Sequence, residues 1–569
     1  MARGNRWWGV GLVLLAFSAD AADTVRFFAP EPLQTLLNDH AELALPASAD
    51  YAARATVLQR ARELVTSLSA TEGYFQPELS WENDDTIRVT PGPITRISSV
   101  DIVFIGALAP ERQQRLRERW LLPVGAPFRQ QDWDKAKQEL LRDLDEDAYP
   151  AAQLQHSEAR VDPGTRHVQL QVQVTLGPLH RYGPLTITGL SRYSDDLVRR
   201  YSGALQPGQV YRRSDLLAVQ QALQATPYFD SVQLIVDPVA TPATPEQTEV
   251  SAPVQLHVQE RSPHNVSFGI GASSNTGERI LGYYGFPDLF GQAWDFGTGF
   301  RLERERQQYF TDLFFPRSES GYQDGMALLY EHAEFENLTV DRRALRLERV
   351  DPGLAFETRY SLTLERSDEQ AAEQDDVRYQ ALVPGLQWIW RRVDDIRKPR
   401  AGTVLSIDLA AAAEELASDA SFGYVLVHGE SFHSLTPQWV LGLRADLGAT
   451  FTFNSDAVPQ SYLFRTGGSQ TVRGYDYLSI GRELDGAIVG AKRLVVASAE
   501  LTYWFNDDWG AALFVDAGDA RDSMADLSPL LGYGLGARWQ TPAGPLAFDL
   551  ARGERDSDIR FHFMIAVPF

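Results

Sequence analysis

The side chains best placed to do chemistry lie between Phe464 and Glu483. There Arg465, Arg473, Asp476, Arg482 and Glu483 are set among hydroxyls and the glycines Gly467, Gly468, Gly474 and Gly481. The chemistry they offer is hydrogen bonding and ion pairing rather than bond breaking. Glycine lets a backbone turn sharply, and the charged side chains require polar surroundings. A long loop of this kind is either functional or disordered. Val472, Tyr475, Tyr477, Leu478 and Ile480 argue against disorder, because they would pack if the loop folded inward. An inward-folded loop is the expectation, and an ordinary surface loop is the alternative. No catalytic constellation stands elsewhere. The chain has no Gly-x-Ser-x-Gly elbow, and His428 and His433 match no usual zinc spacing. The run Gly532-Tyr533-Gly534-Leu535-Gly536 sits inside a strand pattern, not ahead of a helix. No enzymatic activity, cofactor or metal is expected.

Composition bounds what must position this loop. A chain of 569 residues, 44% hydrophobic and 11% aromatic, can build more than one core. A net charge of -23 argues against nucleic acid, whose phosphates need Lys and Arg partners. The absence of cysteine rules out disulfides and thiolate metal sites. Arg3 and Arg6, the uncharged run from Trp7 to Ala19 and the small-x-small triplet Ala19-Asp20-Ala21 read as a cleaved secretion signal over residues 1–21. Beyond it no apolar run approaches the ~20 residues a spanning helix needs, which leaves a closed barrel as the only way into a bilayer.

From Thr24 to about Pro263 a pattern of short strand, helical stretch and two further strands repeats every ~75 to 85 residues, predicting tandem α+β modules over 22–95, 96–177 and 178–262. The third is clearest. Strand Leu185–Leu190 leads to a helix with Leu216, Val219 and Leu223 on one face, then to strands at Val232–Val236 and Val254–Val258. The second has strands at Ile97–Ile105, Gln153–Val161 and Val168–Leu176 and a helix bearing Trp133, Leu140, Leu141 and Leu144. The first has a helix around Tyr51–Leu68. An open sheet edge on such modules can take up an extended segment as an added strand; the alternative is that they are spacers.

After Arg261-Ser262-Pro263 the pattern becomes alternation. The last segment carries Ile559, Phe561, Phe563, Ile565, Val567 and Phe569 on one face and Arg560, His562, Met564 and Ala566 on the other. About sixteen such segments fill 263–569, with Tyr503, Trp504, Trp509 and Trp539 at their boundaries, which predicts a 16-stranded antiparallel transmembrane β-barrel. The Phe464–Glu483 loop falls between the eleventh (438–453) and twelfth (488–505) segments. On the thirteenth, Phe514, Asp516 and Gly518 share one face and Leu513, Val515 and Ala517 the other, so the first set and Glu500 on the twelfth should point into the lumen.

These pieces carry a family resemblance. The helix-to-strand corners Glu72-Gly73-Tyr74-Phe75 and Pro227-Tyr228-Phe229 resemble those of POTRA domains. The order Gly467-Gly468 through Ile480, Ser498-Ala499-Glu500, Phe514-Val515-Asp516-Ala517-Gly518, Gly544-Pro545-Leu546-Ala547-Phe548-Asp549 and terminal Phe569 resembles the outer-membrane assembly superfamily. Within it the chain is most similar to the TamA branch, the translocation and assembly module subunits. The resemblance implies an outer-membrane barrel with periplasmic POTRA domains that helps insert or secrete autotransporter-type barrel proteins. It also implies a TamB-like inner-membrane-anchored partner, unfolded outer-membrane clients, and lipid passage as a further role. It implies that Arg473 reaches back to pair with Asp516, with Glu500 as second acceptor, while Val472, Gly474, Tyr475, Phe514 and Gly518 complete the docking. It further implies a lateral seam between first and last strands, where Gly269, Gly271, Pro568 and Phe569 allow weak closure. The competing expectations are a two-partner-type secretion pore, a general barrel assembler with five modules, and an inert barrel anchoring a periplasmic bridge.

Overall fold

The computed structural model describes residues 23–41, 43–45, 51–83, 85–239, 248–353, 355–372, 374–396, 398–453, 457–541, 544–555 and 558–565. The expected signal at residues 1–21 and the seam residues Pro568 and Phe569 lie outside the described residues. Two compact units result. One holds the first two modules and part of the third (through Thr186, with 204–218 and 234–255), and the other holds the rest of the third module and the barrel.

Each module is a three-stranded sheet whose last strand lies in the middle. The sheets run Arg26–Phe28, Thr86–Thr90, Glu78–Trp81; Arg96–Ile105, His167–Thr175, Gln153–Asp162; and Phe229–Val236, Glu249–Glu260, Leu179–Thr188. In the first two the central strand is parallel to the first and antiparallel to the second. Helix Gln130–Asp145 shows why the second module folds: Trp133, Ala136, Leu140 and Leu144 recur at helical spacing and are buried in one cluster with Ile97, Val168, Leu170 and Val172. The modules also contain helices Leu33–His40, Pro110–Glu118 and Asp195–Arg199, which the single-helix pattern did not include. Pro110–Glu118 buries only Leu116, so it has no apolar stripe for periodicity to detect.

The barrel strands are β1 (Asn265–Ser273), β2 (Gly277–Leu289), β3 (Trp294–Glu303), β4 (Arg306–Phe314), β5 (Gln323–Phe335), β6 (Leu338–Asp351), β7 (Phe356–Ala371) and β8 (Val377–Val393). They continue as β9 (Gly402–Ala412), β10 (Phe422–Ser434), β11 (Trp439–Thr452), β12 (Arg493–Trp504), β13 (Trp509–Arg521), β14 (Leu530–Thr541), β15 (Gly544–Gly553) and β16 (Ile559–Ile565). Each pairs with its neighbour in sequence and β16 returns to β1, closing a 16-stranded antiparallel barrel as the alternation predicted. On β13 Ala512, Phe514 and Asp516 are buried inside, while Leu513 and Val515 are exposed outside at 60% and 47%. An outward apolar face of this kind is what a bilayer covers.

Closure is uneven. β1 aligns with β2 along its whole length, from Asn265 opposite Gly285 to Ser273 opposite Gly277. With β16 it aligns, among the described residues, only at Ala272–Ile565 and Ser273–Met564. Next to the barrel the third module packs Tyr193, Tyr228 and Phe229 edge to face, and Tyr228 Oη donates to the Ala293 carbonyl at 2.8 Å, on the turn between β2 and β3.

Behind Tyr193, the Glu260 carboxylate accepts from the backbone N–H groups of Ser191, Arg192 and Tyr193 and from the Ser191 hydroxyl. Burial pushes the Glu260 carboxyl up, but these donors, Ser191 first, outweigh it and hold the group at about 2. The folded value therefore lies below the ordinary 4.5, so the stabilisation is complete above that pH and is lost as pH falls toward about 2. Amide exchange at Ser191, Arg192 and Tyr193 should speed up across that window in the wild-type chain. In Glu260→Gln it should be fast at all pH values, and a pH step that survives the substitution would refute this account.

Candidate functional site

Four neighbouring strands build one inner wall. Alternation turns Ser498 and Glu500 of β12, Phe514, Asp516 and Gly518 of β13, Gly532, Gly534, Gly536 and Arg538 of β14, and Asp549 of β15 to the same side. One register row runs Ser498, Asp516, Gly532, Gly553, so a carboxylate stands beside a floor of glycines. Low bulk lets a loop approach the wall, and charge gives it something to bind.

The loop from 457 to 492 enters this space. Arg473 Nε donates to Asp516 Oδ2 at 2.7 Å and Nη2 to Oδ1 at 2.9 Å, a two-pronged pair, and the Arg473 backbone N–H donates to Oδ2 at 3.0 Å. Nη1 donates to Glu500 Oε2 at 2.8 Å and to Asp549 Oδ2 at 3.2 Å. The guanidinium carbon lies 3.3 Å from the centroid of the Phe514 ring, which adds a cation–π contact. Arg538 holds the same acids from the other side, donating to both Glu500 oxygens at 2.9 and 2.6 Å and to Asp549 Oδ1 at 2.6 Å. Ser498 donates to Asp516 Oδ1 at 2.6 Å. Arg473 is 6% exposed and Asp516 0%, so this is a buried network in which every carboxylate is paired. Pairing is the condition on which charges remain inside a fold.

The residues beside Arg473 continue the docking. Val472 is fully buried in the space that Gly518 leaves open. Gly474 has φ +95°, and its backbone lies so close to Arg552 and Gly553 that a Cβ would meet the Gly553 nitrogen. Tyr475, 2% exposed, donates through Oη to the Leu531 carbonyl at 3.1 Å. On β16, the Gly474 N–H donates to His562 Nε2 at 2.9 Å, which places the imidazole proton on Nδ1, facing the Ser274 hydroxyl at 3.4 Å. Arg560 donates to the Gly474 carbonyl at 2.8 Å and to both Asp476 oxygens at 3.1 and 2.9 Å. Asn275, just past β1, accepts from the Ser469 N–H at 3.0 Å. The loop thus holds both strands of the barrel's closure at once.

Its other end is tied to β7 and to the β5–β6 turn. The Gln460 N–H donates to Glu369 at 2.9 Å and the Ser461 hydroxyl to Glu365. A hairpin, Arg482–Leu484 with Ala487–Val489, hangs on the Glu336 carbonyl through the Ile488 N–H at 3.0 Å.

The structure brings Val472, Arg473, Gly474, Tyr475, Glu500, Phe514, Asp516 and Gly518 into one cluster. Gly269 and Gly271 lie apart from it, on the inward face of β1 opposite Leu281 and Arg279. Sequence reasoning left out Ser498, Arg538, Asp549, Arg560 and His562 as partners. Alternation points Arg538 and Asp549 inward, but register sets them in the rows of Trp504 and Thr502, and only the side chains reaching across rows join them to Glu500 and to Arg473. Among the described residues no group of His, Asp and Glu could hold a metal ion.

Comparison with known proteins agrees with this architecture. The Omp85 superfamily domain model matches residues 283–569, and the POTRA model, described as a surface antigen variable number repeat, matches 180–261. The outer membrane protein assembly factor BamA of Nitratidesulfovibrio vulgaris is 23% identical over 407 residues, covering 67% of this chain and 50% of that protein. The chain therefore spans about half the length of the curated relative it matches. The crystal structure of BamA from Haemophilus ducreyi lacking POTRA domains 1–3 is 16% identical, covers 83% of this chain and 99% of that one, and superposes with a TM-score of 0.61, a likeness of fold. CdiB from Acinetobacter baumannii, 15% identical over 91% of this chain and 99% of that one, is more distant, with a TM-score of 0.47.

Two substitutions test the docking. Arg473→Ala leaves Asp516 buried without its partner, a loss of about 3 to 5 kcal/mol. It should lower the unfolding midpoint and open residues 457–492 to protease. In Gly532→Ala the new Cβ would overlap the Arg473 carbonyl oxygen, so it should expose the same loop while leaving every charge in place. Wild-type protease resistance in both variants would contradict the docking.

Proposed function

This chain belongs to the Omp85 superfamily, and on that premise we propose that it is an outer-membrane assembly factor that helps insert or secrete barrel-forming client proteins. The barrel stands in the outer membrane with its POTRA-bearing end in the periplasm. Clients arrive unfolded from the periplasm, add to an open strand edge, and leave sideways between β1 and β16 into the bilayer. The observation that carries this reading is the seam. β1 meets β16 there at Ala272–Ile565 and Ser273–Met564, and the docked loop grips both sides of this closure through Asn275 and His562. The edge of β1, once parted from β16, offers its backbone groups as a template for an incoming strand. Glycines at 269 and 271 weaken that edge on its inward face.

The finer reading places the chain in the translocation and assembly module branch. It acts there with a TamB-like inner-membrane-anchored periplasmic protein on autotransporter-type clients, and lipid passes by the same seam. The modules present the docking edges for the partner, and the barrel performs the release.

The chain lacks native cysteine, so the seam can be locked cleanly. Cysteines placed at the register partners Ala272 and Ile565 should crosslink on oxidation and abolish client assembly, and reduction should restore it. Undiminished assembly by the oxidised barrel would exclude release through the seam.

A further inference from the structure

The outward wall between β1 and β8 carries a feature that neither the docked loop nor the seam uses. A groove of about 920 Å³ opens on this face, lined by Phe268 and Phe300 at one end and by Leu328, Leu345 and Leu364 further round. Two guanidiniums, Arg343 and Arg366, stand at its edge.

The register explains the arrangement. One row crosses β3 to β8 through Phe300, Tyr309, Tyr330, Arg343, Arg366 and Gln380. The next row runs Thr311, Leu328, Leu345, Leu364 and Leu382 on the same face. The chain enters β1 from the periplasm, so the β5–β6 and β7–β8 turns lie on the outer side. Arg343 and Arg366 stand nearer those turns than the leucines do. The wall therefore presents, nearer the outer turns, one row of Arg343 and Arg366 beside Tyr309 and Tyr330, whose ring centroids are 6.2 Å apart, and aliphatic surface further inward. Tyrosine belongs at such a boundary, between head groups and hydrocarbon.

Charge is unbalanced in this row. Arg343 and Arg366 are direct register partners, and like charges facing across a strand pair repel. Asp368 lies 3.5 Å from Arg343 but is also held by Arg378 at 2.6 Å. Asp341 is engaged by Tyr330 and His332. Arg366 donates to the neutral amide oxygen of Gln380 at 2.7 Å. Arg343, Arg366 and Arg378 thus outnumber Asp341 and Asp368. An anion between the first two would replace repulsion with bidentate hydrogen bonds, the geometry in which guanidinium meets phosphate.

We propose that this wall binds one phosphorylated glycolipid of the lipid A type from the outer leaflet, with a phosphate between Arg343 and Arg366 and acyl chains along Leu328, Leu345 and Leu364. Charge complementarity at the edge and aliphatic surface below it fit an amphiphile that carries both. The site is independent of client release through the seam, and neither stands or falls with the other.

The test is native mass spectrometry of the full chain in detergent, titrated with hexa-acylated bis-phosphorylated lipid A, the same lipid dephosphorylated, and phosphatidylglycerol. Bis-phosphorylated lipid A should bind about tenfold more tightly than either comparator. Arg343→Gln with Arg366→Gln should remove that advantage, and excess inorganic phosphate should not displace the lipid. The comparison of lipids on the wild-type chain stands even if the double variant fails to fold. Equal binding of the dephosphorylated lipid or of phosphatidylglycerol, displacement by inorganic phosphate, or unchanged affinity in the folded variant would each overturn the proposal.

Discussion

A single buried cation organises this molecule. Arg473 sits on a loop, where nothing in local backbone structure would hold it, and is secured by Asp516, Glu500 and Asp549 from three different strands. A guanidinium brought out of water is tolerated only with its donors satisfied, and the reciprocal holds for the carboxylates. The loop and the wall therefore depend on each other: remove the loop, and an acidic wall loses its principal cation. Arg538 offsets Glu500 and Asp549, but Asp516 has Arg473 as its charge partner and Ser498 as its neutral one.

Much of the remaining architecture follows from the need to bring that cation to the wall. Gly532 and Gly553 clear the space, and Val472 fills the hollow over Gly518. Ties to Glu365 and Glu369 on β7 and to β16 on the other side stretch the loop across the lumen, so its position is fixed at both ends. The loop also grips Asn275 and His562, on either side of the strand pair that closes the barrel. In the proposed function this makes the docked loop a brace for the seam. Loosening Arg473 would act on the closure through Gly474, the adjoining residue.

The legible and illegible parts of this design divide along physical lines. Alternation within one strand is local, so the inward placement of Phe514 and Asp516 and the number of barrel strands could be read from the chain. The apolar residues around Arg473 announced that the loop folds in. Partnership between Arg538 and Glu500, or Arg560 and Asp476, depends on register and height across strands far apart in sequence, which no local pattern carries. The helices Leu33–His40 and Pro110–Glu118 escaped for a different reason. They are short and bury few side chains, and the signal that reveals a helix is the burial of one face. His562 looked like one more inward residue of the last strand, and its role emerges only with the Gly474 N–H beside it.

The most direct measurement is a double-mutant cycle on unfolding free energy, with Arg473→Gln, Asp516→Asn and the pair in the full-length barrel. If the guanidinium and carboxylate act as one unit, each single change removes most of what the double change removes, and the coupling is about 2 to 3 kcal/mol. Additive losses, with a coupling near zero, would mean that the loop is held by something other than this ion pair.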